Sequence, residues 1–290
     1  MKRILIAVIL IMMLLAGCDK PGNITPSAVV ETPLAPTATS VPMALMVNGQ
    51  GITLVEYNAA LLRLKEAQES IGQPGVEQEQ VERVLRNFTD ELLLAQAAVQ
   101  NGRVVDDAEL QTRIDKLVAD VGGEANLVSW QERNYYTPET FRESLRRAIL
   151  VTWQRDEIIN AVPLTAEHIR ARQILVQDED NAVYAYAQLQ SGADFETLAF
   201  LYDFTLGGDL GWFPRGMLTQ PNVEDAVFAL QPGEYTEVIK SAIGYHIVYV
   251  IEREMEHALS IESRRMMQEK ALQDWLEAAR AASSIEILVQ

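Results

Sequence analysis

The side chains able to do chemistry in this 290-residue chain are few and scattered. There is 1 cysteine, Cys18, and there are 3 histidines, His168, His246 and His257. The histidines are not clustered and the thiol has no partner within the chain, so no metal site is expected. No Walker loop, no dinucleotide fingerprint between strand and helix and no G-x-S-x-G elbow occurs, and no cofactor is expected. One stretch stands out. Gly207–Gly216 reads GGDLGWFPRG, too aromatic for an ordinary loop and too rich in glycine for an ordinary strand. Glycine allows positive-φ bends and close backbone approach. The question is what needs a tight path with apolar side chains standing on it.

The elements around it supply the context. IRARQILV reads as a strand with Ile169, Ala171, Gln173 and Leu175 on one face. DNAVYAYAQLQSGADFETLAFLY reads as two helices split at Ser191-Gly192. After the glycine-rich stretch come a helix over VEDAVFAL, a Pro232-Gly233 turn, a strand near Val238-Ile239 and a last strand, GYHIVYVIERE.

The segments GADFETLA, GGDLGWFPRG, EDAVFALQPGE and GYHIVYVIE, in this order, resemble the parvulin family of peptidyl-prolyl isomerases along residues 164–255. The resemblance implies a small antiparallel sheet flanked by helices, and it answers the question: the glycine-rich stretch turns into a strand at the edge of a proline pocket. Leu210, Phe213, Met217, Leu218, Val223 and Phe228 are implied as the residues that bind substrate. Val223 stands where the family commonly has an aromatic residue, and one extra residue separates Gly216 from Glu224. The family holds two histidines in a hydrogen-bonded tandem. His246 matches the second, Gln173 stands in place of the first, and Ser241 matches their hydroxyl partner. Thr205 occupies the position of a family Cys or Asp and carries no charge. The implied catalytic set is therefore His246, Gln173, Ser241 and Thr205, with activity reduced by Gln173 and Thr205. His168 and His257 have no such motif context.

The first part of the chain reads as helices. Thr53 and Glu56 fit a capping box. Val81, Val84, Leu85, Phe88, Leu92 and Ala95 share a helical face, with Gly102 suited to the helix end. VDDAELQTRIDKLVADVGG repeats that pattern, and Thr137-Pro138 opens another helix. The order of VNGQGIT, DELLLAQAAVQNG, VDDAEL and YTPETF resembles the N-terminal chaperone region of SurA- and PrsA-type extracytoplasmic foldases. At the other end Leu272, Trp275, Leu276 and Ala279 line one helix face before a strand-like IEILV. In those families such a segment returns to pack on the N-terminal helices.

The N-terminus has Lys2-Arg3, the apolar run Ile4–Leu15 and then Ala16-Gly17-Cys18, which reads as a signal peptide. Leu15–Cys18 resembles the bacterial lipobox, implying lipidation of Cys18. Asp19–Pro42 is rich in Pro, Thr, Ser and Ala and reads as a tether, reaching about 70 Å if extended as polyproline II. A formal charge of −17 argues against a nucleic-acid surface.

The expected fold class is α+β, divided as signal peptide 1–18, tether 19–42, helical chaperone domain 43–163, parvulin-type domain 164–255 and C-terminal helix 256–290. The expected protein is a lipid-anchored extracytoplasmic peptidyl-prolyl isomerase and chaperone. Its expected partners are unfolded or proline-containing secreted polypeptides and, through Cys18, the membrane. The alternatives are a catalytically weak or inactive parvulin-domain holdase and a dedicated assembly scaffold for a membrane partner.

Overall fold

A computed structural model describes residues 41–289. Cys18 and residues 19–40 of the tether lie outside them. In chain order the elements are β1 Met43–Val47, β2 Gln50–Thr53, α1 Leu54–Ser70, α2 Glu77–Gln100, α3 Asp107–Asp120, α4 Glu124–Arg133 and α5 Pro138–Asn160. Then follow β3 Thr165–Val176, α6 Glu179–Gln190, α7 Phe195–Tyr202, β4 Asp209–Pro214, α8 Pro221–Phe228, β5 Ile239–Ser241 and β6 Gly244–Ala258. The chain closes with α9 Ile261–Ala281 and β7 Ile285–Ile287.

Local chemistry sets the helix starts. The Thr53 hydroxyl accepts from the Glu56 N–H and the Glu56 carboxylate accepts from the Thr53 N–H, so α1 opens on the expected box. Thr137 caps α5 in the same way, with Pro138 in its first turn. α2 is the spine of the helical part. Its buried face, from Val84 to Leu93, packs on Leu45, Val47, Ile52 and Tyr57, and Trp275 and Ala279 of α9 close over the same cluster. The C-terminus is therefore integral to this part. β7 pairs antiparallel with β1, in the order β2-β1-β7. Arg280 of α9 holds Asp90 of α2 through two hydrogen bonds of 2.7 and 2.6 Å.

Between α5 and α9 the chain builds a second, antiparallel sheet of order β4-β3-β6-β5. Both of its faces are covered, because alternate strand residues point to opposite sides. Ile174, Val176 and Ile247 face α6 and α7. Ile169, Ala171, Val248 and Val250 face Phe213 and α8. The strand pair is longer than the sequence suggests: β6 runs on to Ala258, which pairs with Thr165. Leu259 N–H then donates to the Leu164 carbonyl at 2.9 Å, so the chain enters and leaves this sheet at neighbouring points.

Candidate active site

The register brings three polar side chains together. His246 on β6 lies opposite Leu175 of β3 on one side and Ile239 of β5 on the other. Its Nδ1 stands 3.2 Å from Gln173 Oε1, and its Nε2 stands 2.7 Å from the Ser241 hydroxyl. A neutral ring with its proton on Nδ1 satisfies both contacts: Nδ1–H donates to the glutamine carbonyl and Nε2 accepts the serine hydroxyl. His246 is buried, and loss of hydration pushes its pKa below the usual 6.5, toward that neutral form. Ser241 Oγ also accepts from the Ile243 N–H at 3.1 Å, which fixes its lone pairs.

Gln173 and His246 line a small cavity with Leu210, Leu218 and Val223, closed by Thr219, Gln220 and Ile243. The glycine-rich stretch gives this cavity its wall. At Gly208, φ is +69° and an added Cβ would lie 1.8 Å from the Gln173 carbonyl oxygen, so a side chain there is impossible without moving β3. The same glycine accepts the Gln173 N–H through its carbonyl at 2.8 Å. Two carboxylates hold the flanking loops. Asp203 accepts from the N–H groups of Thr205, Leu206 and Gly208, which lowers its pKa. Glu224 Oε1 accepts from Gly216, Met217 and Leu218 at 2.8, 3.1 and 3.2 Å, gathering the loop with the extra residue against α8.

The residues singled out from the sequence fall into three groups. Gln173, His246 and Ser241 form one hydrogen-bonded chain, and Leu210, Leu218 and Val223 line the cavity beside it. Phe213 and Phe228 sit behind that wall, edge to face at 6.0 Å, and Met217 packs on the same cluster. Thr205 stands apart, exposed, with its N–H on Asp203 instead of a contact to His246. The loop turns on the Asp203 carboxylate and leaves Thr205 on the outside.

The anchoring roles of Asp203 and Glu224 and the lining by Thr219, Gln220 and Ile243 had no signal of their own, although Glu224 lies within EDAVFALQPGE. His168 and His257 also gain a context. Their rings stand 4.6 Å apart, and Trp212 stacks on His257 at 4.8 Å. They sit where β3 and β6 pair near their outer ends, clear of the cavity. A separate cleft in the helical part is lined by Val55, Ala59, Leu64, Val84 and Phe88, with Arg147 at its edge. Among the described residues no group of His, Cys, Asp or Glu is placed to hold a metal, and no helix is long and apolar enough to cross a membrane.

Comparison with known proteins places both parts. Residues 170–252 match the family model described as PPIC-type PPIASE domain, and residues 1–154 match that of the SurA-like N-terminal domain. The foldase protein PrsA of Caldanaerobacter subterraneus subsp. tengcongensis is 30% identical over 242 residues, which is 73% of this chain and 74% of the relative. The chaperone SurA of Thiobacillus denitrificans is 30% identical over 148 residues, 46% of this chain and 34% of its own. A crystal structure of the peptidylprolyl isomerase PrsA from Bacillus cereus aligns over 83% of this chain and 88% of its own, at 22% identity and a TM-score of 0.45. The SurA-like match spans more than half of the sequence and the PrsA match nearly three quarters of both chains, so this protein belongs to the PrsA and SurA family of foldases and carries a parvulin-type peptidyl-prolyl cis-trans isomerase domain.

Proposed function

We propose that the chain is an extracytoplasmic foldase, anchored to the cell membrane by lipid on Cys18, that holds unfolded secreted polypeptides and rotates their X-Pro bonds. An X-Pro bond turns over a barrier of about 18–20 kcal/mol, and unaided it takes tens to hundreds of seconds. No covalent step is needed. The site must bind the twisted amide better than the planar one. Twisting breaks amide resonance: the proline nitrogen becomes a better acceptor and the carbonyl loses charge separation. An apolar socket of Leu210, Leu218 and Val223 takes the ring, and the polar chain beside it favours the twisted state.

The observation that carries this reading is the Gln173–His246–Ser241 hydrogen-bond chain, whose Gln173 and His246 line the cavity beside Leu210, Leu218 and Val223. Gln173 replaces a ring with a flexible amide, and with Thr205 turned outward no side chain at that position reaches the cavity. Both favour reduced turnover, with holding of clients as the dominant activity. A protease-coupled proline-peptide assay on the purified protein tests this. Wild type should turn over measurably, and Gln173→His should raise the rate about five- to hundredfold, the span of about 1–3 kcal/mol for one well-placed hydrogen bond in a buried network. A folded wild type with no turnover, unrestored by Gln173→His, would mean that the pocket only binds. Wild-type turnover equal to that of a two-histidine parvulin would mean that the glutamine is no defect.

A further inference from the structure

The loop that fastens the cavity wall also carries the most exposed cluster of large apolar side chains in this part of the chain. Phe204 is 89% exposed, Leu201 75%, Leu206 64% and Phe200 42%. They stand within one short run around the end of α7. Single exposed apolar residues are ordinary, but a contiguous group marks a contact surface. All four fall within seven residues of chain, and the turn folds back on itself there: the Phe200 ring lies 2.8 Å from where a Cβ on Gly207, next to Leu206, would be.

The loop is held in place. Both Asp203 carboxylate oxygens are used on its N–H groups, and Gly207 N–H donates to the Asp203 carbonyl at 2.8 Å. Its far end is fastened to Gln173, which lines the cavity, through the Gln173 N–H to Gly208 carbonyl bond. Phe204 and Leu206 are thus presented to solvent by a rigid turn, which removes much of the ordering cost of binding.

We propose that Phe204 and Leu206, with Leu201 beside them, form a second subsite for the client polypeptide, one that takes a bulky apolar side chain a few residues from the proline in the cavity. The proposal rests on the reading of the Leu210–Leu218–Val223 cavity as the proline socket. The occupant follows from continuity. Leu206 is four residues from Leu210, which lines the cavity, and a chain advances at most about 3.6 Å per residue, so the two lie within about 14 Å. A client extended from the cavity covers that distance in about four residues. The subsite makes this foldase select prolines that lie near apolar residues, which is where a chain that has not yet buried its core exposes them.

The test uses the full-length protein in lipid nanodiscs and fluorescein-labelled peptides with a single proline. One peptide carries Phe three and four residues to either side of the proline, and its partner carries Ser there. Fluorescence anisotropy gives both affinities without requiring turnover. The Phe peptide should bind wild type about tenfold or more tightly, in line with partial burial of a phenylalanine. The double variant Phe204→Ser/Leu206→Ser should lose that preference and keep its affinity for the Ser peptide. Both residues are exposed, so the substitutions leave the core intact. Equal binding of the two peptides by wild type, or a preference that survives in the variant, would overturn the proposal. So would a crosslinked dimer that disappears in the variant while peptide affinity stays the same, since a second copy would then be the occupant. Leu218→Asp separates the underlying reading: it weakens both peptides if the cavity takes the proline and neither if it does not, while the Phe preference and its loss are read independently.

Discussion

His246 has its ring nitrogens shared between a glutamine carbonyl and a serine hydroxyl, and burial holds it below its usual pKa. That has a thermodynamic consequence. In the unfolded chain the imidazole takes a proton near pH 6.5, whereas in the fold it resists until a lower pH. The unfolded state therefore binds more protons in that window, and stability falls as pH is lowered through it. The contribution is fully present above about pH 6.5 and is lost as pH drops from there through the folded pKa. Thermal melts between pH 7.5 and 5 should show this slope, and His246→Asn should flatten it. Melts of the variant that retain the full wild-type slope would assign the acid sensitivity to another group. Protonation would also place an N–H on Nε2 and turn the Ser241 hydroxyl to the Gly244 carbonyl, 3.2 Å away. Isomerase turnover should accordingly decline over the same window.

At the scale of elements, the cavity depends on how α8 holds the loop before it. Glu224 collects three backbone N–H groups on one oxygen. Charge-assisted hydrogen bonds of this kind are stronger than neutral ones. Glu224→Ala should free Gly216–Leu218 and take Leu218 away from the cavity wall. The expected result is a drop in kcat/KM of about tenfold or more, mainly through KM, because uniform substrate binding is lost. Glu224→Gln keeps an oxygen acceptor and should retain most of the activity. An alanine variant with unchanged KM would show that the loop holds its shape without the carboxylate. Within this loop Leu218 reaches the cavity while Met217 packs on the cluster behind it.

At the scale of the molecule, the isomerase sheet is a long excursion between two helices that pack on each other. α9 returns to α2 and α5, and β7 completes the sheet begun by β1. Because Thr165 and Ala258 are paired, the two ends of the excursion are strand neighbours, about 5 Å apart. Replacing residues 165–258 with a short turn should leave the helical part folded. It should still suppress aggregation of a reduced, unfolded client, measured by light scattering, on the proposal that holding resides in residues 43–163 with 256–290. A folded deletion variant with no such activity would overturn that division. The anchor is tested separately. Cys18→Ser should release the protein from membranes or leave it unprocessed, as read by fractionation and immunoblot. Mature-sized protein remaining in the membrane fraction would count against the lipobox.

The sequence by itself determined whatever is coded locally. Thr53 with Glu56 and Thr137 with Pro138 announce helix starts because a cap needs only side chains within one turn. The glycine-rich run announced a tight backbone path, which the close approach of Gly208 to Gln173 explains, while its place at a pocket came only through the family resemblance. The order of motifs carried the fold class and the hydrogen-bonded set Gln173, His246 and Ser241. α4 went unread, since its ten residues bury only Leu127 and Gln131 and so print a weak pattern. Tertiary structure decided the rest. The resemblance put Thr205 at the position of a family Cys or Asp, but the loop turns on Asp203 and leaves Thr205 exposed. Phe213 and Phe228 satisfy the pattern of pocket residues, yet the sheet places them behind the wall. The pairing of β7 with β1, the stack of His168, His257 and Trp212, and the grip of Glu224 on its loop all join residues through contacts that no local pattern encodes. Local propensity fixes which elements form. Only the packing of distant elements against one another fixes which side chains meet.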